Sequence, residues 1–527
     1  MVKYAIIPEP AFIKYHTGNF QCRGLPLPEL PENNKSIQNE VQVFCSQVID
    51  TWGGKANPKN SDKIKLITED SSVNDNAVGA ESYQLEILPD EIRLSAASGT
   101  GIFRGLQTLR QLFLSGYDEP QPSENRVEPE VRGSPLEGEL SIPCGIIKDK
   151  PRFPWRGFML DCSRYFYSVE FIKKIMDALS LHHINIFHWH LSDDQGWRLP
   201  VRKYPLLTEI GSKRRDHRLH DKFVGGFYTE EEIKDIVNYA ACRHIEVVPE
   251  IDLPGHTSAA LAAYPGLGCT GGPYRVEDRY SIFEDVLCAG NDDIFPLAEA
   301  LFDTLSEFFP SKYVHIGGDE VRFNRWTECP KCKKRLHELG LKKPAQLQSW
   351  ITARLADMLQ RRGKTAIGWD EVLENTEKFP LPDDFIVMSW RGQKGGCKAA
   401  AAGHRVIMTP YSDGCYLDYK HINHPEEPGQ LSVNTIAQCF NLNPITVEMD
   451  EAAASLVLGG QGNLWSEIIY AGKIAEYMIF PRICALAETF WSTGKDRGNM
   501  EDFSKRLEIH QMRLDKLGLL QYRGPLS

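Results

Sequence analysis

"KYVHIGGDEV", residues 312–321, runs a short apolar stretch into two glycines and then sets two carboxylates side by side. Successive side chains on a strand point to opposite faces, so Asp319 and Glu320 converge on one site only where the strand has ended and the backbone turns. Gly317 and Gly318 make that turn available, because glycine reaches backbone conformations that a Cβ forbids. The stretch therefore predicts a strand whose C-terminal end carries acidic chemistry.

Seven more short apolar runs of this kind follow residue 150: "RGFMLDCSR" (156–164), "INIFHWHLSDD" (184–194), "IEVVPEID" (245–252), "TAIGWDE" (365–371), "FIVMSW" (385–390), "RVIMTP" (405–410) and "LGGQGNLWSE" (458–467). Between several of them lie amphipathic helices: "SVEFIKKIMDALSLHH" with Ser168 as N-cap, "TEEEIKDIVNYAACR" with Thr229 as N-cap and Glu232 three residues on, and "PLAEALFDTLSEFF". Eight strands alternating with helices predict an α/β fold, a (β/α)8 TIM barrel, whose chemistry sits at the C-terminal strand ends. Polar and aromatic residues recur at those ends: Asp161 and Arg164, Asp193 and Asp194, Glu250 and Asp252, Trp369 and Asp370, Trp390, Trp465 and Glu467.

Ahead of the barrel, "SYQLEIL" and "IRLSAAS" read as a hairpin across "PDE", and "GIFRGLQTLRQLF" as an amphipathic helix. Residues 115–139, rich in Pro, Glu and Ser, read as a linker or exposed excursion. The expected organisation is a small α+β accessory domain over 1–150 and a barrel with C-terminal helices over 151–527.

The 527 residues carry a formal charge of −11, and no dense basic run appears beyond "KRR" at 213–215. That balance argues against nucleic-acid and anionic-membrane partners. No run approaches a membrane span, and "MVKYAIIPEP" has no signal-peptide core. A soluble chain is expected, cytoplasmic or exported by a signal absent from this sequence. Thirteen dispersed cysteines do not form a disulfide framework. "CPKC" (329–332) is one CxxC with no second pair at zinc-finger spacing, and reads as a structural turn; Cys269 and Cys288 flank a Gly-rich loop and would bridge in an oxidising compartment.

Carboxylates with several Trp and a Tyr suit a neutral polyhydroxylated ligand: aromatic rings cover the apolar face of a pyranose while Asp, Glu and Arg bond its hydroxyls. Neither a phosphate-cradling loop nor a serine elbow is present. Cleaving a glycosidic bond needs one protonated acid and one carboxylate, and the adjacent Asp319 and Glu320 have a means of separating their pKa values.

"HIGGDE", preceded by "FPWRGFMLDCSRYF", "NIFHWHLSDDQGWR" and "PEIDLPGHT" and followed by "GWDE", "YLDY" and "NLWSE", resembles the family 20 glycoside hydrolases, the β-N-acetylhexosaminidases. The first 150 residues are similar to that family's accessory domain. The resemblance implies exo-acting removal of terminal β-linked GlcNAc or GalNAc from an oligosaccharide or glycoconjugate, without metal or other cofactor. It also implies a substrate-assisted mechanism, in which the 2-acetamido oxygen attacks the anomeric carbon to give an oxazolinium intermediate with net retention. Glu320 would be general acid and then base, Asp319 would orient the acetamido N–H, and Tyr416 would bond its oxygen. Asp418, Arg164 and Glu467 would bind sugar hydroxyls, Trp369, Trp390 and Trp465 would form the walls, and Asp193 and His256 would lie near the acid, with Asp194 as the alternative to Asp193. A lacto-N-biosidase of the same family remains open, as does monomer against homodimer. A metal-dependent amidohydrolase using His188 and His190 of "HWH" lacks further His ligands on "TAIGWDE" and "FIVMSW", and a non-catalytic sugar binder would not need the acidic pair.

Overall fold

The eight runs after residue 150 close into one parallel barrel: β1 (Trp155–Asp161), β2 (Ile186–His190), β3 (Glu246–Glu250), β4 (Tyr313–His315), β5 (Thr365–Trp369), β6 (Ile386–Ser389), β7 (Arg405–Met408) and β8 (Val457–Leu464). Each strand pairs with the next in chain order, and β8 returns to β1. The computed structural model describes residues 4–29, 37–52, 58–68, 77–118, 138–220, 222–493 and 498–527.

The strands read as continuous apolar runs because both of their faces are covered. Outward side chains such as Phe158, Phe187 and Val247 pack under the surrounding helices, while Met159, Ile186, Val248, Ile367 and Ile407 fill the barrel interior. Ser168 caps the helix Val169–Leu181 by accepting from Phe171 N at 3.3 Å. Thr229 and Glu232 form a reciprocal capping box on Glu230–Ala241. The third helix begins at Ile294, two residues earlier than its sequence pattern suggests.

The N-terminal residues build a separate mixed sheet. Phe12–Arg23 pairs antiparallel with Glu139–Asp149, which pairs with the hairpin Tyr83–Ile87 and Ile92–Ala96; Ile64–Thr68 runs parallel at the edge. The helix Gly99–Gly116 is buried almost all round, because it is covered by this sheet and also by the barrel-side helices Val169–Leu181 and Met500–Lys516. Residues 119–137 of the predicted excursion lie outside the described residues. Among the described residues, no helix is long and apolar enough to cross a membrane.

Candidate active site

β4 ends at His315, and the chain then turns through Gly317 and Gly318, at φ 66° and 97°. A Cβ on Gly317 would lie 1.8 Å from Asp252 Oδ1, so only glycine fits. Glu320 is itself left-handed, at φ 52°. The two neighbours thereby take different environments: the Asp319 side chain is 12% exposed and that of Glu320 30%. Both line a cavity of about 310 Å³ at the C-terminal mouth of the barrel, with Arg164, His256, Trp369, Trp390, Tyr416, Asp418, Trp465 and Glu467.

His256 Nε2 faces Glu320 Oε2 at 3.6 Å and Asp319 Oδ2 at 3.7 Å. Its Nδ1 sits 3.2 Å from both Asp193 and Asp194. Burial alone would depress the imidazole, but the Asp193 and Asp319 carboxyls outweigh it and hold His256 well above its usual value. Burial, reinforced by the hydrogen-bonded Asp252 carboxyl, pushes Asp319 well above the carboxylate range. Asp252 is itself pushed to about 7 by burial and by Glu250, against the pull of His256. Two carboxyls whose oxygens lie within 4.8 Å of each other cannot both ionise freely, so the pair shares a proton near neutrality. Asp319 Oδ1 is buried without a hydrogen-bond partner.

The aromatic walls are mutually packed. Trp390 stacks on Tyr416 at 6.2 Å and 13°, and Trp369 and Trp465 stand 5.8 Å apart. Tyr416 reaches the cavity from the chain between β7 and β8, where a bridge to Asn463 extends the barrel edge. Burial raises its phenol far above 10, so it remains a proton donor throughout the working range. Arg164 lies over Trp465 at 5.0 Å, bonds Asp193 at 2.9 Å and Asp161 at 3.2 Å, and closes one end of the cavity beside Glu467.

The pattern of the described fold is matched at the level of families. Residues 153–494 match the description "Glycosyl hydrolase family 20, catalytic domain", and residues 3–150 match "Glycosyl hydrolase family 20, domain 2". The chain belongs to glycosyl hydrolase family 20. It is 40% identical over 447 residues to a "Beta-hexosaminidase" of Porphyromonas gingivalis, covering 85% of this chain and 55% of that protein, so it spans about half the length of that relative. It is 33% identical over 435 residues to a "Beta-hexosaminidase" of Akkermansia muciniphila, covering 82% of this chain and 83% of the relative. The solved exo beta-N-acetylglucosaminidase of Vibrio harveyi in complex with N-acetylglucosamine superposes with a TM-score of 0.85 at 28% identity, over 99% of this chain and 78% of that one.

Not every strand-end carboxylate predicted from sequence reaches the family 20 cavity. Asp193 lies behind it, joining Arg164, His190 and His256, while Asp194 accepts from Ser258 and His256. Glu250 gathers His188, His190, His315 and the Trp369 indole N–H into a fully buried knot. His188 and His190 are thus committed to Glu250, and burial drives His188 down to about 4. Four groups were not assigned a place from sequence. Asp252 was visible only as a strand-end carboxylate. Glu371, inside "GWDE", accepts from the Trp390 indole at 2.8 Å and is pushed to about 8 by burial and by Asp319. Tyr419 and the segment Gln430–Ser432 complete the rim, and no periodicity or motif marks the latter. Arg482, on a helix beyond β8, is buried and donates to the carbonyls of Leu417, Tyr419 and Asn434. The CxxC at 329–332 is also not alone: the fold brings Cys269 and Cys288 to it, and all four thiols are free.

Proposed function

We propose that this chain is an exo-acting β-N-acetylhexosaminidase that releases terminal, non-reducing β-linked GlcNAc or GalNAc by substrate-assisted catalysis, with residues 151–527 as the catalytic unit and 1–150 as its accessory domain. The observation that carries the reading is the unpartnered, buried Asp319 Oδ1 in a cavity walled by Trp369, Trp390 and Trp465 and shared with Tyr416. An acetamido N–H satisfies that acceptor, and the Tyr416 hydroxyl donates to the acetamido oxygen.

Accepting an N–H at Oδ1 favours the carboxylate on Asp319 and leaves the shared proton on Asp252. Glu320 gives its proton to the glycosidic oxygen as the bond to the anomeric carbon breaks and the acetamido oxygen closes on that carbon. The resulting oxazolinium is positively charged, and the Asp319 carboxylate stabilises it in a water-poor site. Glu320, now ionised, takes a proton from water as the water oxygen attacks the anomeric carbon, which opens the oxazolinium with net retention. Arg164, Glu467 and Asp418 hold the ring hydroxyls at the closed end, while His256 and Asp193 fix the acidic pair. A cavity of about 310 Å³ is at the small end for ligand sites and suits one sugar with its acetamido arm, which favours monosaccharide over disaccharide release.

The test is hydrolysis of aryl β-GlcNAc, β-GalNAc and β-lacto-N-bioside side by side, followed by a series of aryl glycosides with progressively fluorinated N-acyl groups. Turnover should fall steeply along the series because electron withdrawal weakens the attacking oxygen, and Asp319→Asn should cost roughly 10²–10³-fold in kcat, comparable to loss of an oxyanion-hole donor. A flat series, or a trapped glycosyl ester on Asp319, would refute the mechanism; exclusive cleavage of the lacto-N-bioside would overturn the exo-monosaccharide reading.

A further inference from the structure

Four cysteines from two loops meet at one point. Cys269 and Cys288 lie in the long segment between β3 and the helix Ile294–Phe308, whereas Cys329 and Cys332 bracket the start of the helix Pro330–Glu338, which follows the acidic pair. Their sulfurs all lie within 4.8 Å of one another. Cys269 and Cys332 are 3.8 Å apart, Cys288 and Cys329 3.8 Å, and Cys288 and Cys332 3.6 Å. Disulfide sulfurs stand about 2.05 Å apart. Four thiolates at about 2.3 Å from a tetrahedral zinc are separated by edges of about 3.8 Å, the spacing of these three pairs.

The surroundings are built for such a cluster. Cys288 and Cys332 are fully buried and Cys329 nearly so, at 0%, 0% and 5% exposure. Gly290 is glycine for a steric reason, since a Cβ there would lie 2.1 Å from the Lys331 carbonyl carbon and 2.4 Å from Cys332 N. Cys332 occupies the first turn of Pro330–Glu338, whose N-terminal dipole favours a thiolate. Lys331 and Lys333 add positive charge on the same helix, opposing the net charge of −2 that four thiolates and one zinc would carry.

We propose that Cys269, Cys288, Cys329 and Cys332 hold one zinc ion in a closed, structural, four-sulfur site. Binding forms four zinc–sulfur bonds and releases the thiol protons to solvent. The ion clamps the loop after β3 to the loop after β4. The same two loops are joined by Arg325 to Asp285 at 2.7 Å, Asn324 to Glu284 at 2.9 Å and the Trp326 indole to the Leu287 carbonyl at 2.9 Å. The clamp therefore braces the chain that leaves Glu320, although none of its four ligands lines the cavity. In sequence, "CPKC" has no second pair at zinc-finger spacing; the fold supplies the missing ligands from the preceding loop.

The full chain, purified without added metal or a polyhistidine tag, is expected to contain about one zinc by elemental analysis, with about four sulfurs near 2.3 Å in its zinc-edge X-ray absorption spectrum. The double variant C329S/C332S should lose the metal and melt several degrees lower. If that variant does not fold, the absorption spectrum of the unmodified chain decides by itself. Zinc-free protein with four alkylatable thiols, or with disulfides by intact mass, would overturn the proposal. Zinc bound through nitrogen or oxygen, or iron in its place, would do so as well.

Discussion

Glu320 takes a left-handed backbone conformation, one residue beyond two positive-φ glycines, a placement that costs a non-glycine residue about 1–3 kcal/mol. The conformation lets Asp319 turn inward to Asp252 while Glu320 faces the open side of the cavity beside His256. Adjacent carboxylates on a continuing strand would diverge instead. If Glu320 is the proton donor, Glu320→Gln should cost roughly 10²–10⁴-fold in kcat/KM on glycosides with basic leaving groups. The loss should be much smaller on aryl glycosides of acidic phenols, which depart without full protonation. Equal losses on both, measured across a leaving-group series, would remove Glu320 from that role.

The segment Tyr416–Tyr419 is neither helix nor barrel strand, yet it supplies Tyr416 and Asp418. Its position is set by Asn463, which donates to the Cys415 carbonyl and accepts from Leu417 N, both at 2.7 Å, and by the Arg482 guanidinium. Arg482 is fully buried and donates to Leu417 at 2.6 Å, Tyr419 at 2.8 Å and Asn434 at 2.9 Å. Arg482→Met would leave those carbonyls without their donors inside the protein, at about 1–3 kcal/mol for each one that water cannot reach. The expected outcome is a lower denaturation midpoint and, at temperatures where the variant is folded, a kcat reduced at least tenfold on N-acetyl substrates because Tyr416 is no longer held. Unchanged kcat in folded protein would show that the backbone bridge to β8 suffices.

The accessory sheet and the barrel meet over ionisable groups that the interior has detuned. Asp149, at the end of Glu139–Asp149, accepts from Tyr83 in its own sheet at 2.9 Å and from the Trp491 indole of a barrel-side helix at 3.0 Å. Burial pushes it up to about 7, against hydrogen bonds that favour the anion. A carboxyl raised from its unfolded value near 4 makes the native chain bind the extra proton. Its stabilising contribution is full below about pH 4 and is lost as pH rises through 7. Asp149→Asn should therefore flatten the decline in stability between pH 4 and 7, read as the difference between the two chains in denaturant midpoint at each pH. Parallel curves would show that Asp149 does not titrate across that window.

The eight strand runs, their glycine-marked ends and the caps Ser168 and Thr229 were legible in the sequence, because apolar periodicity, turn chemistry and capping are written in neighbouring residues. "GWDE" and "NLWSE" likewise announced Trp369 and Trp465, since each motif rides at a strand end, whereas Tyr416 of "YLDY" was legible only through the family resemblance. What only the tertiary structure decided is where remote carboxylates point. Asp252 pairs with Asp319 because β3 lies beside β4, Asp193 withdraws behind Arg164 and His256, and Glu250 is enclosed by three histidines from two other strands. Arg482 reaches the Tyr416 segment from 66 positions along the chain, and Cys269 meets Cys332 across 63. Local pattern sets which residues form a strand and where it stops. Closing the ring of eight strands is what fixes which strand ends share a dry cavity, and therefore which charges must share a proton, find a partner or bind an ion.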